Sequence, residues 1–297
     1  MKEINLIKKI EVVPYDANWP TIFEAEKKII SAALGDDNCA AIYHIGSTAV
    51  PELAAKPKID IIAVGRDREM AINDLEKVGY VHKGEWNIPL KCGFTKRGAA
   101  DVNLHVFFDE NHPEIELNLK FRDYLRSHPD VRDEYAAIKM KILEDEDAHQ
   151  KSDKSPFPIY TIRKRAFIDN IIKNTGFNRL RVLKCTTEDE WNAAKKIREK
   201  YSPQIMDATE SNHEHFVLYR GIEIIGYADI LIISKSKAEI SILSVFENSD
   251  QESASYFLNV IKEWAKVHAL ACSMNMCPGS KTYETGLNRR KDLQDTH

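Results

Sequence analysis

The sequence predicts an α+β protein built from two domains, residues 1–178 and residues 179–297. Its 297 residues are more than one domain usually holds. Short apolar strand-like runs alternate with segments whose apolar residues recur at helical spacing. The pattern also restarts near residue 178, where a helix ends at Thr175 and Gly176 and a new strand begins.

The first domain is predicted to carry a small mixed sheet with flanking helices. A helix capped by Asn18 is expected to bury Ile22, Ala25, Ile29 and Ala33 and to end at Gly35. Strands are predicted at residues 10–14, 80–83, 91–96 and 102–108, and a strand-turn-strand is predicted within residues 43–62. Helices are predicted at residues 66–78, 113–126, 130–146 and 158–174.

The second domain reads in the order strand, helix, hairpin, strand, helix, strand. The capping box that begins at Thr187 starts its first helix. The predicted elements lie at residues 180–184, 187–201, 216–233, 239–246, 250–268 and 270–275, with a short helical segment near Tyr283.

Composition argues against several functional classes. A formal net charge of -4 gives no electrostatic reason to expect nucleic acid as a partner. No apolar run reaches the length of a membrane span, and the first residues lack the apolar core of a signal peptide. The 5 cysteines show no zinc-type spacing and are expected to be reduced thiols. We therefore predict a cytoplasmic protein; the sequence indicates no oligomeric state.

One stretch carries most of the predicted chemistry. Gly46 and Ser47 follow an apolar strand, so that backbone N–H groups and a hydroxyl could approach an anion closely. Asp60 interrupts the next apolar strand, where a carboxylate is costly unless it is paired or binds a cation. The pattern indicates a phosphate-binding turn that faces a metal-binding carboxylate. A plain tight turn and a structurally paired carboxylate are the alternatives.

The same stretch resembles the signature of the GrpB (UPF0157) family. The matching segments are residues 44–51, 53–57, 59–61, 103–106 and 121–129, with a later pattern at Tyr160, Lys164, Phe167 and Ile168. That family is similar to the nucleotidyltransferase superfold, a mixed sheet with flanking helices and a Gly-Ser turn opposite strand carboxylates. The resemblance covers about residues 8–173.

The resemblance implies in-line attack on the α-phosphate of a nucleotide, assisted by divalent metal. Gly46 and Ser47 would hold phosphates, and Asp60 would be catalytic and bind Mg²⁺. Lys56 or Lys58 could neutralise phosphate charge. His105 is a candidate catalytic residue and Arg122 a candidate nucleotide-binding residue; a core histidine and a surface ion pair are the respective alternatives.

Two departures from the nucleotidyltransferase and family patterns affect this prediction. The second carboxylate expected two residues after Asp60 is replaced by Ile62. Glu52 stands where the family usually has glycine, and it could either reshape the loop or supply the missing carboxylate.

Residues 179–297 resemble, more weakly, a GNAT-type N-acetyltransferase domain that is smaller than usual and lacks the last strand. In that family a basic residue and two glycines at a helix N-terminus hold the pyrophosphate of acetyl-CoA. The corresponding positions are Asp250, Ser253 and Ser255, so the resemblance implies a degenerate domain.

Three hypotheses follow for the function. The first is metal-dependent binding of a nucleotide or another phosphorylated small molecule, with or without nucleotidyl transfer, which would make the protein a transferase. The second is acetyl-CoA-dependent N-acetylation by the C-terminal half. The third is a non-catalytic module that senses a nucleotide or CoA.

Overall fold

A computed structural model describes residues 9–152, 155–201, 212–245 and 251–274. The chain divides into two compact units, Met1–Arg179 and Leu180–His297. Each unit contains one five-stranded mixed sheet with helices packed on it. This confirms the predicted mixed α+β class.

The N-terminal unit is organised around a sheet in the order β1-β2-β5-β4-β3. Its strands are β1 Cys39–Ile45, β2 Lys58–Gly65, β3 Val81–Gly84, β4 Cys92–Lys96 and β5 Asp101–Phe107. Its helices are α1 Trp19–Asn38, α2 Arg68–Lys77, α3 Pro113–Ser127, α4 Pro129–Leu143, α5 Ile159–Arg163 and α6 Arg165–Asn174. The central pair, β2 and β5, is parallel, and the other neighbours are antiparallel.

The two faces of this sheet are covered by different elements. Ile59, Ile61 and Leu104 point to the main core, which the apolar side chains of α1 and α2 complete. Ile62 and Phe107 point to the opposite face and pack with Ile115 of α3. Because side chains alternate along a strand, Asp60 and Asn103 share this second face with Ile62 and His105.

The C-terminal unit holds a sheet in the order β10-β9-β8-β7-β6. Its elements are β6 Leu180–Lys184, α7 Glu188–Tyr201, β7 His213–Arg220, β8 Glu223–Ser234, β9 Lys237–Val245, α8 Gln251–Val267 and β10 Ala271–Met274. Among the strands that the structure describes in this unit, only β9 and β10 pair in parallel. The predicted helical segment near Tyr283 lies outside the described residues.

Several predicted details of the N-terminal unit were wrong. Helix α1 buries Phe23, Ile30 and Leu34, whereas Ala25 and Ile29 are exposed. The large ring of Phe23 removes more apolar surface from water than Ala25 could, which rotates the buried face.

Two of the predicted segments are also shorter or divided. Residues 10–14 contribute one isolated bridge, from Val13 to Ala55, rather than a strand. The single helix predicted at residues 158–174 is two helices that meet at Lys164. No helix among the described residues combines the length and the apolar character needed to cross a membrane.

Candidate functional site

The Gly-Ser turn lies at the end of β1, beside β2. Ile45, the last residue of β1, pairs with Asp60, and a 3-10 helix then runs from Ser47 to Ala49. Gly46 has φ 71° and ψ -172°, a backbone conformation that is essentially restricted to glycine. A Cβ on Gly46 would lie 2.7 Å from Oδ2 of Asp60. Glycine is therefore needed here for its backbone conformation and for the close approach of the carboxylate.

Asp60 is held on the sheet by its neighbour on β5. The Asn103 side-chain amide donates to Oδ1 of Asp60 at 2.8 Å, and Oδ2 lies on the side of Gly46. Burial raises the pKa of Asp60, while the Asn103 hydrogen bond and the nearby positive charges of Lys56, Lys58 and Lys164 oppose that rise. The structure thus brings Gly46, Ser47 and Asp60 together.

A buried lysine of α4 reaches the same turn. Lys139 is 1% exposed, and its ammonium donates to Oγ of Ser47 at 3.4 Å and to the carbonyl of Ala54. It also lies 4.6 Å from the centre of the Tyr135 ring, and the Tyr135 hydroxyl hydrogen bonds with Ser47. The amino group of Lys139 therefore lies directly against the Gly-Ser turn.

Two further lysines meet at one aromatic ring. The ammonium nitrogens of Lys56 and Lys164 lie 5.1 Å and 4.3 Å from the centre of the Tyr160 ring. The charge of Asp60 acts on both lysines. We call Ser47, Lys56, Asp60, Lys139 and Lys164 the lysine cluster.

The electrostatics of the lysine cluster are unbalanced. Burial, followed by repulsion from Lys56, lowers the pKa of Lys139 to about 7. Burial and repulsion from Lys56 and Lys139 lower the pKa of Lys164 to about 7, because attraction by Asp60 offsets them only in part. Burial and repulsion from Lys58 also lower the pKa of Lys56. One carboxylate thus faces several crowded lysines, and a bound anion would relieve their repulsion.

His105 lies on the same sheet face as Asp60 but is engaged with a different lysine. It pairs with Ile62 in the β2–β5 register, one step along the face from the Asp60–Asn103 pair. Nδ1 of His105 lies 3.2 Å from Nζ of Lys91, which is 4% exposed. Burial and the charge of Lys91 lower the pKa of His105 to about 3, so that its imidazole is neutral near pH 7.

Arg122 lies on α3 and contacts the backbone beside the turn. It donates to the carbonyl of His44 at 2.9 Å and forms a two-point ion pair with Asp123. One turn further along, Arg126 donates twice to the carbonyl of Ala49. The two arginines hold the backbone on both sides of the Gly-Ser turn.

Neither of the two positions at which a second carboxylate was considered, 62 and 52, places one at the site. Ile62 is 1% exposed and packs in the apolar cluster beside α3. Glu52 points outward, with its side chain 73% exposed, and pairs with Arg132 at 2.6 Å. Within the described residues, no group of three or more His, Cys, Asp or Glu side chains is arranged to hold a metal ion.

Asp60 offers one carboxylate, which is enough only for a magnesium ion whose other ligands come from a bound molecule and water. Magnesium is commonly bound by one or two carboxylates together with substrate phosphates rather than by a complete protein cage. Oδ2 of Asp60 lies beside Gly46 of the Gly-Ser turn. The donor set does not fit two metal ions.

In the C-terminal unit, two of the three positions compared with the acetyl-CoA loop are described. Ser253 is fully buried in the first turn of α8 and accepts a hydrogen bond from Arg220 at 2.7 Å. Ser255 lies in the same helix, and Asp250 lies outside the described residues.

Comparison with known proteins identifies the family of the N-terminal unit. The sequence model of the GrpB protein family matches residues 9–174. The chain belongs to the GrpB family. A UPF0157 protein of Halalkalibacterium halodurans is 37% identical over 165 residues, which cover 53% of this chain and 82% of that protein.

Two solved structures are also similar to parts of the chain. The crystal structure of conserved protein GrpB from Enterococcus faecalis is 32% identical and covers 56% of this chain and 96% of its own, with a TM-score of 0.47. A Bacillus subtilis acetyltransferase in complex with CoA is 18% identical and covers 32% of this chain and 64% of its own, with a TM-score of 0.22. The GNAT-like likeness is accordingly weak.

Four residues of the site, Lys91, Asn103, Lys139 and Lys164, were given no role at the site from the sequence. Lys139 lies 92 positions from Ser47, within a predicted helix. Asn103 and Lys91 lie in predicted strands, but the sequence does not show which strands are neighbours in the sheet. A lysine on the apolar side of a helix was the available signal, because Lys139 follows Tyr135 by one helical turn.

Proposed function

We propose that the GrpB-like unit binds the phosphate groups of a nucleotide or a related phosphorylated small molecule at the lysine cluster, and that it belongs to the nucleotidyltransferase-like class. The supporting observation is that buried Lys139 lies against Ser47 while half-buried Lys56 and Lys164 lie near Asp60, with too little negative charge to balance the three lysines. A phosphate group would supply that charge and accept hydrogen bonds from Lys139 and Lys164.

The protein residues would divide the work at the site. Gly46 gives the turn its conformation and lets Asp60 lie close to it, while Lys139 and Lys164 would offset the negative charge of the phosphates. Asp60 would hold one magnesium ion shared with those phosphates. When bound, such an ion would neutralise charge that develops on the phosphate oxygens. With a single carboxylate at the site, the lysines carry much of the charge neutralisation that a second metal ion gives elsewhere.

Isothermal titration calorimetry of the full-length protein tests the binding site. We expect tripolyphosphate and ATP to bind at pH 7, and we expect Lys164→Met to weaken both by about 10-fold or more, since a charged hydrogen bond contributes about 1.5–3 kcal/mol. Lys173→Met is the matched control, because Lys173 is exposed on the adjacent helix α6. Absence of binding by both anions would rule out the proposed site.

Transfer is tested separately from binding. Release of pyrophosphate from ATP, measured with a panel of hydroxyl-bearing acceptors, would support nucleotidyl transfer. Tight binding without release for any acceptor would instead favour a nucleotide-sensing module.

Acetyl-CoA-dependent N-acetylation by the C-terminal unit is the second candidate. Ser253 lies at the position of a loop glycine in the GNAT family, and its hydroxyl accepts a hydrogen bond from Arg220. We therefore expect acetyl-CoA to change the melting temperature of the full-length protein little. A stabilisation of several degrees would favour the acetyltransferase hypothesis.

A further inference from the structure

An exposed tryptophan and a half-buried phenylalanine form an aromatic pair in the N-terminal unit. Trp86 is 56% exposed, and its ring centre lies 6.1 Å from that of Phe157, with the two planes inclined at 41°. Trp86 also has φ 61°, a left-handed conformation that is unfavourable for a bulky side chain. A large apolar ring held in solvent by a strained backbone calls for a functional reason.

The segment that carries Trp86 continues directly into Lys91, which lies on the sheet face that carries Asp60. Residues 85–90 form a loop between β3 and β4 that closes on itself, because the Leu90 amide donates to the Glu85 carboxylate at 3.0 Å. Arg68 braces the same loop by donating to the Leu90 carbonyl at 2.6 Å. The next residue, Lys91, lies against His105 on the face that carries Asp60.

The segment that carries Phe157 leads to the lysine cluster from the other direction. Phe157 precedes Tyr160 by three residues, and the Tyr160 ring lies beside Lys56 and Lys164. Backbone hydrogen bonds tie the segment down, from Ser152 to the Phe157 carbonyl at 3.3 Å and from Ile159 to the Gln150 carbonyl at 3.0 Å. The aromatic pair therefore bridges two segments that each lead into the site.

We infer that Trp86 and Phe157 form the stacking surface for a nucleobase, so that the ligand of the lysine cluster is a nucleotide rather than a sugar phosphate or inorganic polyphosphate. This inference rests on the proposed phosphate site. The lysine cluster would hold the charged end of the ligand, and the aromatic pair would hold its flat, apolar end. Aromatic side chains accept bases by stacking because every base presents a π face.

The test compares two ligands that share their phosphates but not the base. ATP and tripolyphosphate are titrated into the full-length protein and into Trp86→Ala, Trp86→Phe and Phe157→Leu variants. We expect Trp86→Ala to weaken ATP by roughly 5- to 150-fold, the range for loss of one stacked base, with tripolyphosphate affinity changed less than about twofold. Trp86→Phe should retain most of the wild-type affinity for ATP. Phe157→Leu should weaken the binding of ATP but not that of tripolyphosphate.

Met70→Ala serves as the control, because Met70 is 50% exposed on α2 and should leave both ligands unaffected. If tripolyphosphate binds and ATP binds no more tightly, the inference fails while the proposed phosphate site stands. It also fails if Trp86→Ala weakens both ligands equally. If neither ligand binds, the proposed function fails and the stacking surface with it.

Discussion

Replacing Lys139 with methionine should improve stability and impair binding in the same protein. Methionine has similar length and no charge, so that the change removes the ammonium while filling most of its space. The ammonium is 1% exposed and lies between Ser47 and the carbonyl of Ala54. An ordinary structural lysine would give the opposite result for stability.

The magnitude follows from the lowered pKa of Lys139. Its pKa falls from 10.5 to about 7 on folding, so burying this lysine costs about 4 kcal/mol of folding stability at pH 7, where it is only partly protonated in the folded protein. Removing the hydrogen bond to the Ala54 carbonyl costs about 1–3 kcal/mol. We therefore expect Lys139→Met to raise the free energy of unfolding by about 1–3 kcal/mol at pH 7 without ligand. Affinity for tripolyphosphate should fall about 10-fold or more.

The stability measurement must report on the N-terminal unit alone. Hydrogen exchange of the β2 amides in increasing urea, followed by mass spectrometry of the full-length protein, does so. Lys141→Met is the matched control, because Lys141 is exposed on the same helix and should leave both stability and affinity nearly unchanged. A loss of stability in Lys139→Met would refute the reasoning, since it would mean that Lys139 is a satisfied structural residue.

Three further predictions concern the same cluster. Gly46→Ala should destabilise the N-terminal unit by about 2–4 kcal/mol through its backbone conformation and the clash with Asp60, whereas Gly98→Ala, with open space around it, should not; equal urea midpoints would contradict this. Asp60→Asn should abolish the effect of magnesium on ATP affinity while strengthening metal-free tripolyphosphate binding, and calorimetry showing magnesium dependence in the variant would exclude Asp60 as its ligand. Because Lys139 and Lys164 have pKa values of about 7, stability without ligand should rise from pH 7 towards pH 10, where the unfolded chain binds more protons. When tripolyphosphate binds at pH 8, the protein should take up about one to two protons. Identical binding enthalpies in buffers of different ionisation enthalpy would disprove this uptake.

Local sequence patterns were sufficient to predict the strand-turn-strand that carries Gly46, Ser47 and Asp60. A glycine after an apolar strand and a carboxylate within the next strand are both visible in one short stretch. The pairing of the two strands then places Ile45 opposite Asp60, so that the turn that follows Ile45 lies beside the carboxylate.

The long-range part of the site could not be predicted in this way. Lys139 reaches Ser47 from α4, and Lys164 comes near Asp60 from the junction of α5 and α6, so both depend on tertiary packing. Helical periodicity records which residues face inward but not which distant loop they meet. Arg122 illustrates the converse, since its position in a recognised motif did not reveal that it contacts the His44 carbonyl.

The two arginines of α3 have a consequence for binding kinetics. Arg122 and Arg126 fix the carbonyls that precede and follow the Gly-Ser turn, so the turn has its binding geometry before the ligand arrives. A preformed, positively charged site needs no slow rearrangement, and its association rate should be fast and should fall steeply as salt is added. Differences in affinity among phosphate-bearing ligands would then arise mainly from how long each one stays bound.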